Sequence, residues 1–289
     1  MPYSIYSSAS FEASIGSESS YNSGAGTSYG ALGVGMAVDE FQLQNQFTPL
    51  YQLGQRTPIE YYSQGHKTAV SLSFVLANDN YNWLNFVLQN MNSTVTPTFE
   101  TTAAASNINT MFIKMSGATN TRTISGVAIN DTTLDFSEGK TVDVKMSGVG
   151  ASGTITTGAV STTYPSQPVT WVTVGAGTVT AQPVQSANLT ISNTLGQYYG
   201  LGSVTYQLFV PLEFSVTGKL TVYHNSGLVE QLFSQPVAGQ SSNSLVLTAG
   251  NYTFTIGGLY LDQGNIKVAP VTTVLDEIDF KGETLTVTA

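Results

Sequence analysis

Phe41-Gln42-Leu43-Gln44-Asn45-Gln46-Phe47 is the stretch that decides how this chain is read, because Leu189-Thr190-Ile191-Ser192-Asn193-Thr194-Leu195 repeats its pattern 148 positions later (189 − 41 = 148). Apolar and polar residues alternate in both copies, the period of a strand with one buried face. The correspondence runs without a gap from residues 41–89 onto 189–237. Tyr51, Leu53 and Gly54 fall on Tyr199, Leu201 and Gly202, Leu72 and Phe74 on Leu220 and Val222, and Leu84 on Leu232. A second pair closes each half, Leu134-Asp135-Phe136 against Ile278-Asp279-Phe280, each followed by a glycine and alternating residues. Two copies of one β-rich unit therefore stand in tandem.

The segments around these repeats divide the chain. Residues 1–40, rich in Ser, Gly and Tyr at their start, read as an extended N-terminal arm, disordered or ordered by a neighbour. Residues 41–150 form a first unit, 151–168 a Gly-, Thr- and Ser-rich linker closed by Tyr164-Pro165 and Gln167-Pro168, and 169–289 a second unit. At 289 residues the chain suits two domains of about 140 residues, each able to bury a core. Strand-favouring Val, Thr, Tyr and Phe outnumber strong helix formers, so the fold class is all-β with two short helices. Val70, Leu72, Phe74 and Leu76 mark one strand face. The first helix is expected over 81–89, capped by Asp79 and carrying Trp83, Leu84, Phe86 and Val87. The second is expected over 227–234, with Leu228, Val229, Leu232 and Phe233.

Composition removes several function classes. Eighteen carboxylates against nine basic residues leave a net charge of −9 with no Lys/Arg cluster, so gripping a phosphate backbone is disfavoured. Without cysteine there is no disulfide framework, thiolate metal site or cysteine nucleophile. Neither a secretory pattern nor an apolar run of about 18 residues is visible, so the expectation is a soluble protein made in a cytoplasm, with no membrane partner. His66 and His224 occupy non-equivalent positions, and Asp79 among Asn78, Asn80 and Asn82 lacks the glycine and glutamate of a calcium loop. The glycines at 30–35 and 175–177 precede no lysine and helix, so they are turns rather than phosphate loops. The four sequons at Asn92, Asn130, Asn188 and Asn251 are what chance supplies in a chain so rich in Ser and Thr. The expectation is no enzyme, no catalytic residue, no cofactor and no metal.

Two sets of residues remain as candidates. Tyr51, Leu53 and Gly54, with Tyr199, Leu201 and Gly202, sit between repeated strands beside a glycine able to take positive φ, which suits a hairpin reaching beyond its own unit. Asp135, Asp276, Glu277 and Asp279 are the second set. Their alternation with Ile278 and Phe280 favours an exposed or lumen-facing strand surface over the paired carboxylates of glycoside hydrolysis.

The chain resembles the major tail tube proteins of tailed viruses, of the longer type found in long-tailed phages and their archaeal relatives. The resemblance is carried by Phe11 to Gly16, Asn193-Thr194-Leu195 with Tyr199-Gly200-Leu201-Gly202, Val216 to Tyr223, and the late segments Asn130 to Val144 and Asp276 to Val287. It implies β-sandwich units with a flanking helix, whose inner sheets join into a closed β-barrel ring around a channel, rings stacking through arms and hairpin loops. The duplication implies trimeric rings with pseudo-sixfold symmetry, a hexamer being the alternative. The implied partners are other copies of the chain, tape-measure protein and passing viral DNA in the lumen, and tail terminator and baseplate or tip proteins at the ends. The implied location is the virion tail. A cell-surface filament or adhesin subunit, pilin-like in its Ser and Thr richness, is the competing reading.

Overall fold

The computed structural model describes residues 12–54, 56–87, 110–117, 119–170, 172–174, 184–199, 201, 203, 205–224, 244–268 and 274–288. The fold is nearly all β. Its centre is one antiparallel sheet built from two blocks of four strands. The first block runs β3 (Val34–Leu50), β4 (Glu60–Val75), β7 (Asp143–Gly150), β6 (Asn120–Ser137). The second runs β10 (Val184–Tyr199), β11 (Tyr206–Tyr223), β15 (Leu275–Gly282), β14 (Tyr260–Lys267). Pairing of β6 with β10 fuses the blocks, leaving β3 and β14 at opposite margins of an open sheet. No barrel closes within the described chain.

The blocks share their registers. Phe41 opposes Val70, Leu43 opposes Thr68 and Asn45 opposes His66 in the first hairpin. Leu189 opposes Gly218, Ile191 opposes Val216 and Asn193 opposes Phe214 in the second, every position 148 higher. Both hairpins skip a residue at the same place, between Gln46 and Phe47 and between Thr194 and Leu195. The second pair of strands repeats as well, at a different spacing. Ala128–Val149, Ile129–Gly148 and Asp131–Ser147 recur as Tyr260–Lys281, Leu261–Phe280 and Gln263–Asp279, each 132 positions on (260 − 128 = 132), with the skipped residue again conserved in place. By sheet position Leu134 thus corresponds to Ile266, and Ile278 to Met146. The sequence pairing of Leu134-Asp135-Phe136 with Ile278-Asp279-Phe280 joins strands of different rank, because an apolar-Asp-Phe triplet recurs on any half-buried strand.

Each block carries a second sheet. In the first half, β2 (Gly26–Gly30), β1 (Glu12–Glu18), β5 (Met111–Ser116), the N-terminal part of β6 and β8 (Ser152–Thr157) pair in that order. In the second, β16 (Thr284–Thr288), β13 (Tyr252–Gly257), β12 (Ser244–Ala249) and β9 (Val172–Val174) do so. β6 passes from one sheet to the other at a bulge where Gly126 takes φ 64°. The Glu18 carboxylate accepts the Gly126 N–H at 3.0 Å and the Gly24 N–H at 2.8 Å, supplying acceptors where the ladder is interrupted.

Several expectations change. The N-terminal residues from 12 onward are ordered by the chain's own β5, with Ile15 fully buried, rather than standing as a separate arm. The run expected as a linker includes β8, paired along β6. The described part of the first helix is α1 (Leu84–Val87), which begins after the expected start at 81, while 88 and 89 lie outside the described residues. Asn80 rather than Asp79 accepts the Asn82 N–H ahead of it, at 3.0 Å, while Asp79 accepts from the Ser166 N–H. The helix expected at 227–234 lies outside the described residues.

The core is continuous across the halves. Phe74, Trp83 and Phe136 from the first half pack in one buried cluster with Leu220, Tyr252, Phe254 and Phe280 from the second. The Phe136 and Phe254 rings meet edge-on at 5.8 Å. At the cluster's centre the Tyr252 hydroxyl accepts from the Trp83 indole N–H at 3.3 Å and lies 2.6 Å from the Asn80 carbonyl oxygen and 2.9 Å from that of Ala77. Burial pushes the pKa of this hydroxyl upward, so it stays a donor. Tyr252→Phe leaves buried carbonyls and an indole N–H short of a partner, and is expected to lower stability by about 1–3 kcal/mol in urea unfolding. An unchanged midpoint would show that these groups are satisfied otherwise.

Candidate interaction surfaces

The β3–β4 and β10–β11 hairpins are apolar along much of their exposed length. Leu43, Phe47, Leu50, Tyr51, Ile59 and Tyr61 are exposed on the first, and Tyr198, Tyr199, Leu201 and Leu212 on the second. Gly54 turns the first tip with φ 87°. Leu53 and Leu201, equivalent in the repeat, stand at 102% and 109% exposure at the two tips. Gly202 lies outside the described residues. Apolar side chains gathered at paired protrusions mark a surface suited to burial against a partner.

The hairpins differ just behind their tips. In the second, Tyr206 and Phe209 are buried in a small cluster with Ala128, Val149 and Ala151 of the first half, and Leu195 packs on it. The Tyr21 hydroxyl donates to the Tyr206 carbonyl oxygen at 3.0 Å, and the Tyr199 and Tyr206 rings stack at 4.3 Å. In the first hairpin the residue equivalent to Phe209 is Tyr61, which is exposed.

The other surface is the polar face of the central sheet. A row of opposed residues crosses six strands: Asp143, Asp135, Asn188, Lys219, Asp279 and Gln263. Asp143 and Asp135 oppose each other directly, and the Asn188 amide donates to Asp135, partly offsetting that repulsion. Glu277, on the same face, bridges Lys219 at 2.8 Å and Lys267 at 2.6 Å. The hydrogen bond from Lys219, then that from Lys267, holds the Glu277 carboxyl below the usual carboxylate range. Its bond to Glu277 raises Lys219. Neither lysine stood out in the sequence, because counting by twos along β11 gives the face of Lys219 but only the pairing with β15 sets it opposite Asp279.

Asp276 does not share that face. It is 1% exposed on the opposite side, with its Oδ1 2.8 Å from His224 Nδ1. The correction follows from strand parity, since Asp276 alternates with Glu277 and falls in step with Ile278 and Phe280. His66 sits beside Asn45, far in the repeat from His224. Among the described residues no three His, Asp or Glu side chains gather as metal ligands.

Because both tip leucines are solvated, Leu53→Asp and Leu201→Asp are expected to change unfolding free energy by less than about 0.5 kcal/mol. They should nevertheless reduce binding of an apolar dye; strong destabilisation would mean that the tips pack within the chain. Glu277 stabilises the fold above the ordinary carboxylate pKa, and that contribution is lost as pH falls through its lowered value. Glu277→Gln should therefore flatten the acid limb of a stability–pH curve, with a difference that shrinks in high salt because the bridge is partly exposed. Parallel wild-type and variant curves would refute that role.

A family model described as phage tail tube protein matches residues 4–289, almost the entire chain. No curated protein matches it. The chain belongs to the phage tail tube protein family, a family of structural proteins of the viral tail.

Proposed function

We propose that this tail tube protein is a duplicated subunit, three copies of which close into a ring with pseudo-sixfold symmetry, and that stacked rings form the conduit for genome delivery. The observation that carries the reading is the repeat of strand order and register in the central sheet, β3-β4-β7-β6 followed by β10-β11-β15-β14. A chain whose halves follow one another edge to edge is a segment of a larger closed sheet, and closure removes the exposed margins that would otherwise promote aggregation. Six four-stranded shares then come from three chains. The repeated units are residues 41–150 and 169–289, with residues 12–40 adding strands to the sheets of the first unit and 151–168, which include β8, leading into the second.

In this ring the apolar face of the sheet lies under the outer sheets and the polar face lines the channel. Asp135, Glu277 and Asp279 would meet the lumen, where the short supply of free cations lets a phosphate backbone and tape-measure protein pass without adhering. Tyr51, Leu53, Gly54, Tyr199, Leu201 and Gly202 on the protruding hairpins would bury their apolar surface against the next ring, and at the tube ends against terminator and baseplate or tip proteins. The protein would be assembled in the host cytoplasm into the virion tail. It needs no active site for this role.

Electron microscopy and native mass measurement of the purified protein test the reading. Hollow tubes of stacked rings, with three chain masses per ring, are expected, and Leu53→Asp with Leu201→Asp should yield separate rings instead of tubes. Rings of six chains would overturn the trimer, and monomers under all conditions would overturn the tube.

A further inference from the structure

The junction between β6 and β10 gives a residue-level template for contact between copies, an inference that rests on the ring reading. β14 occupies in the second block the place that β6 occupies in the first, with its positions 132 higher, and β3 occupies the place of β10, 148 lower. Within the chain Asp131, Thr132, Thr133, Leu134 and Asp135 oppose Ser192, Ile191, Thr190, Leu189 and Asn188. We infer that β14 of one copy pairs antiparallel with β3 of the next in this same register. Gln263, Gly264, Asn265, Ile266 and Lys267 then oppose Gln44, Leu43, Gln42, Phe41 and Glu40 of the next copy.

The side chains opposed in this register are complementary. Lys267 meets Glu40, opposite charges on the polar face. Asn265 and Gln263 meet Gln42 and Gln44, amides able to pair with each other, also on that face. Ile266 meets Phe41 on the apolar face, where Leu134 meets Leu189 within the chain. A one-residue slip would instead bring Ile266 against a polar side chain and Lys267 against Phe41.

Exposure points the same way. Leu134 and Ile191, at the internal junction, are 0% and 1% exposed, whereas their counterparts Ile266 and Leu43, at the two margins, are 43% and 49% exposed. Phe209 is 3% exposed and its counterpart Tyr61 62%. The same structural positions are dry where a neighbouring block is present and wet where the chain ends. A second copy of this chain supplies the missing block at each margin, by a head-to-tail contact that closes when the rotation per copy returns to its start.

The absence of cysteine makes the test clean, since introduced thiols are the only ones. Phe41→Cys combined with Ile266→Cys should oxidise between copies to covalent multimers ending at a trimer, whereas Leu43→Cys combined with Ile266→Cys, offset along β3, should cross-link poorly. A second pair of variants leaves the apolar face untouched. Lys267→Glu should raise the critical concentration for assembly about fivefold, and adding Glu40→Lys should restore it. Tubes in which the offset pair cross-links better, or in which charge exchange fails to rescue, would overturn this register while leaving the ring intact. A wild-type protein that forms no rings would overturn both.

Discussion

The structure depends on the pairing of β6 with β10. Through it two four-stranded blocks become one sheet, with a single apolar side and a single polar side. Leu134 and Leu189 oppose each other at this seam and both are fully buried, so backbone pairing and side-chain packing hold the same contact. Shifting the seam by one residue would turn every apolar side chain of one block toward solvent. Register is therefore determined by burial as much as by hydrogen bonds.

That seam also organises what lies above the sheet. Tyr252 and Phe254 of the second half reach Trp83 and Phe136 of the first, so the cluster beneath the outer sheets is shared rather than split. Glu18 does comparable work at the edge, its carboxylate collecting N–H groups from Asn22, Gly24 and Gly126 and the Thr110 hydroxyl. The bend of β6 into the other sheet is tied down by these bonds. On the polar side, few cations are available and Lys219 and Lys267 are engaged by Glu277, which leaves a surface poor in free positive charge.

Much of the central hairpin architecture was legible in the chain. Phe41, Leu43 and Phe47 against Leu189, Ile191 and Leu195 carry a two-residue period over a constant spacing, and the two hairpins preserve both register and bulge. The later strands were legible as strands but not in their correspondence. Their spacing changes from 148 to 132, and an Asp-Phe pair gives too little information to align by. The parity of Asp276 was available too, since it falls in step with Ile278, but an acidic neighbour at Glu277 masks the period. The helix starts at Leu84, later than the expected 81, because an apolar stripe does not report where helical hydrogen bonding begins.

By itself the sequence determined the all-β character, the tandem hairpins, the exposed leucines at their tips and the acidic, cysteine-free surface, because each follows from local period or composition. Only the tertiary structure decided that β6 lies beside β10, that the N-terminal strands pack on β5, and that Phe209 is buried while Tyr61 is not. Those outcomes depend on which distant segment occupies a strand's open side. Strand edges carry the same N–H and C=O groups whatever their residues, so the choice of neighbour is made by the packing of whole sheets.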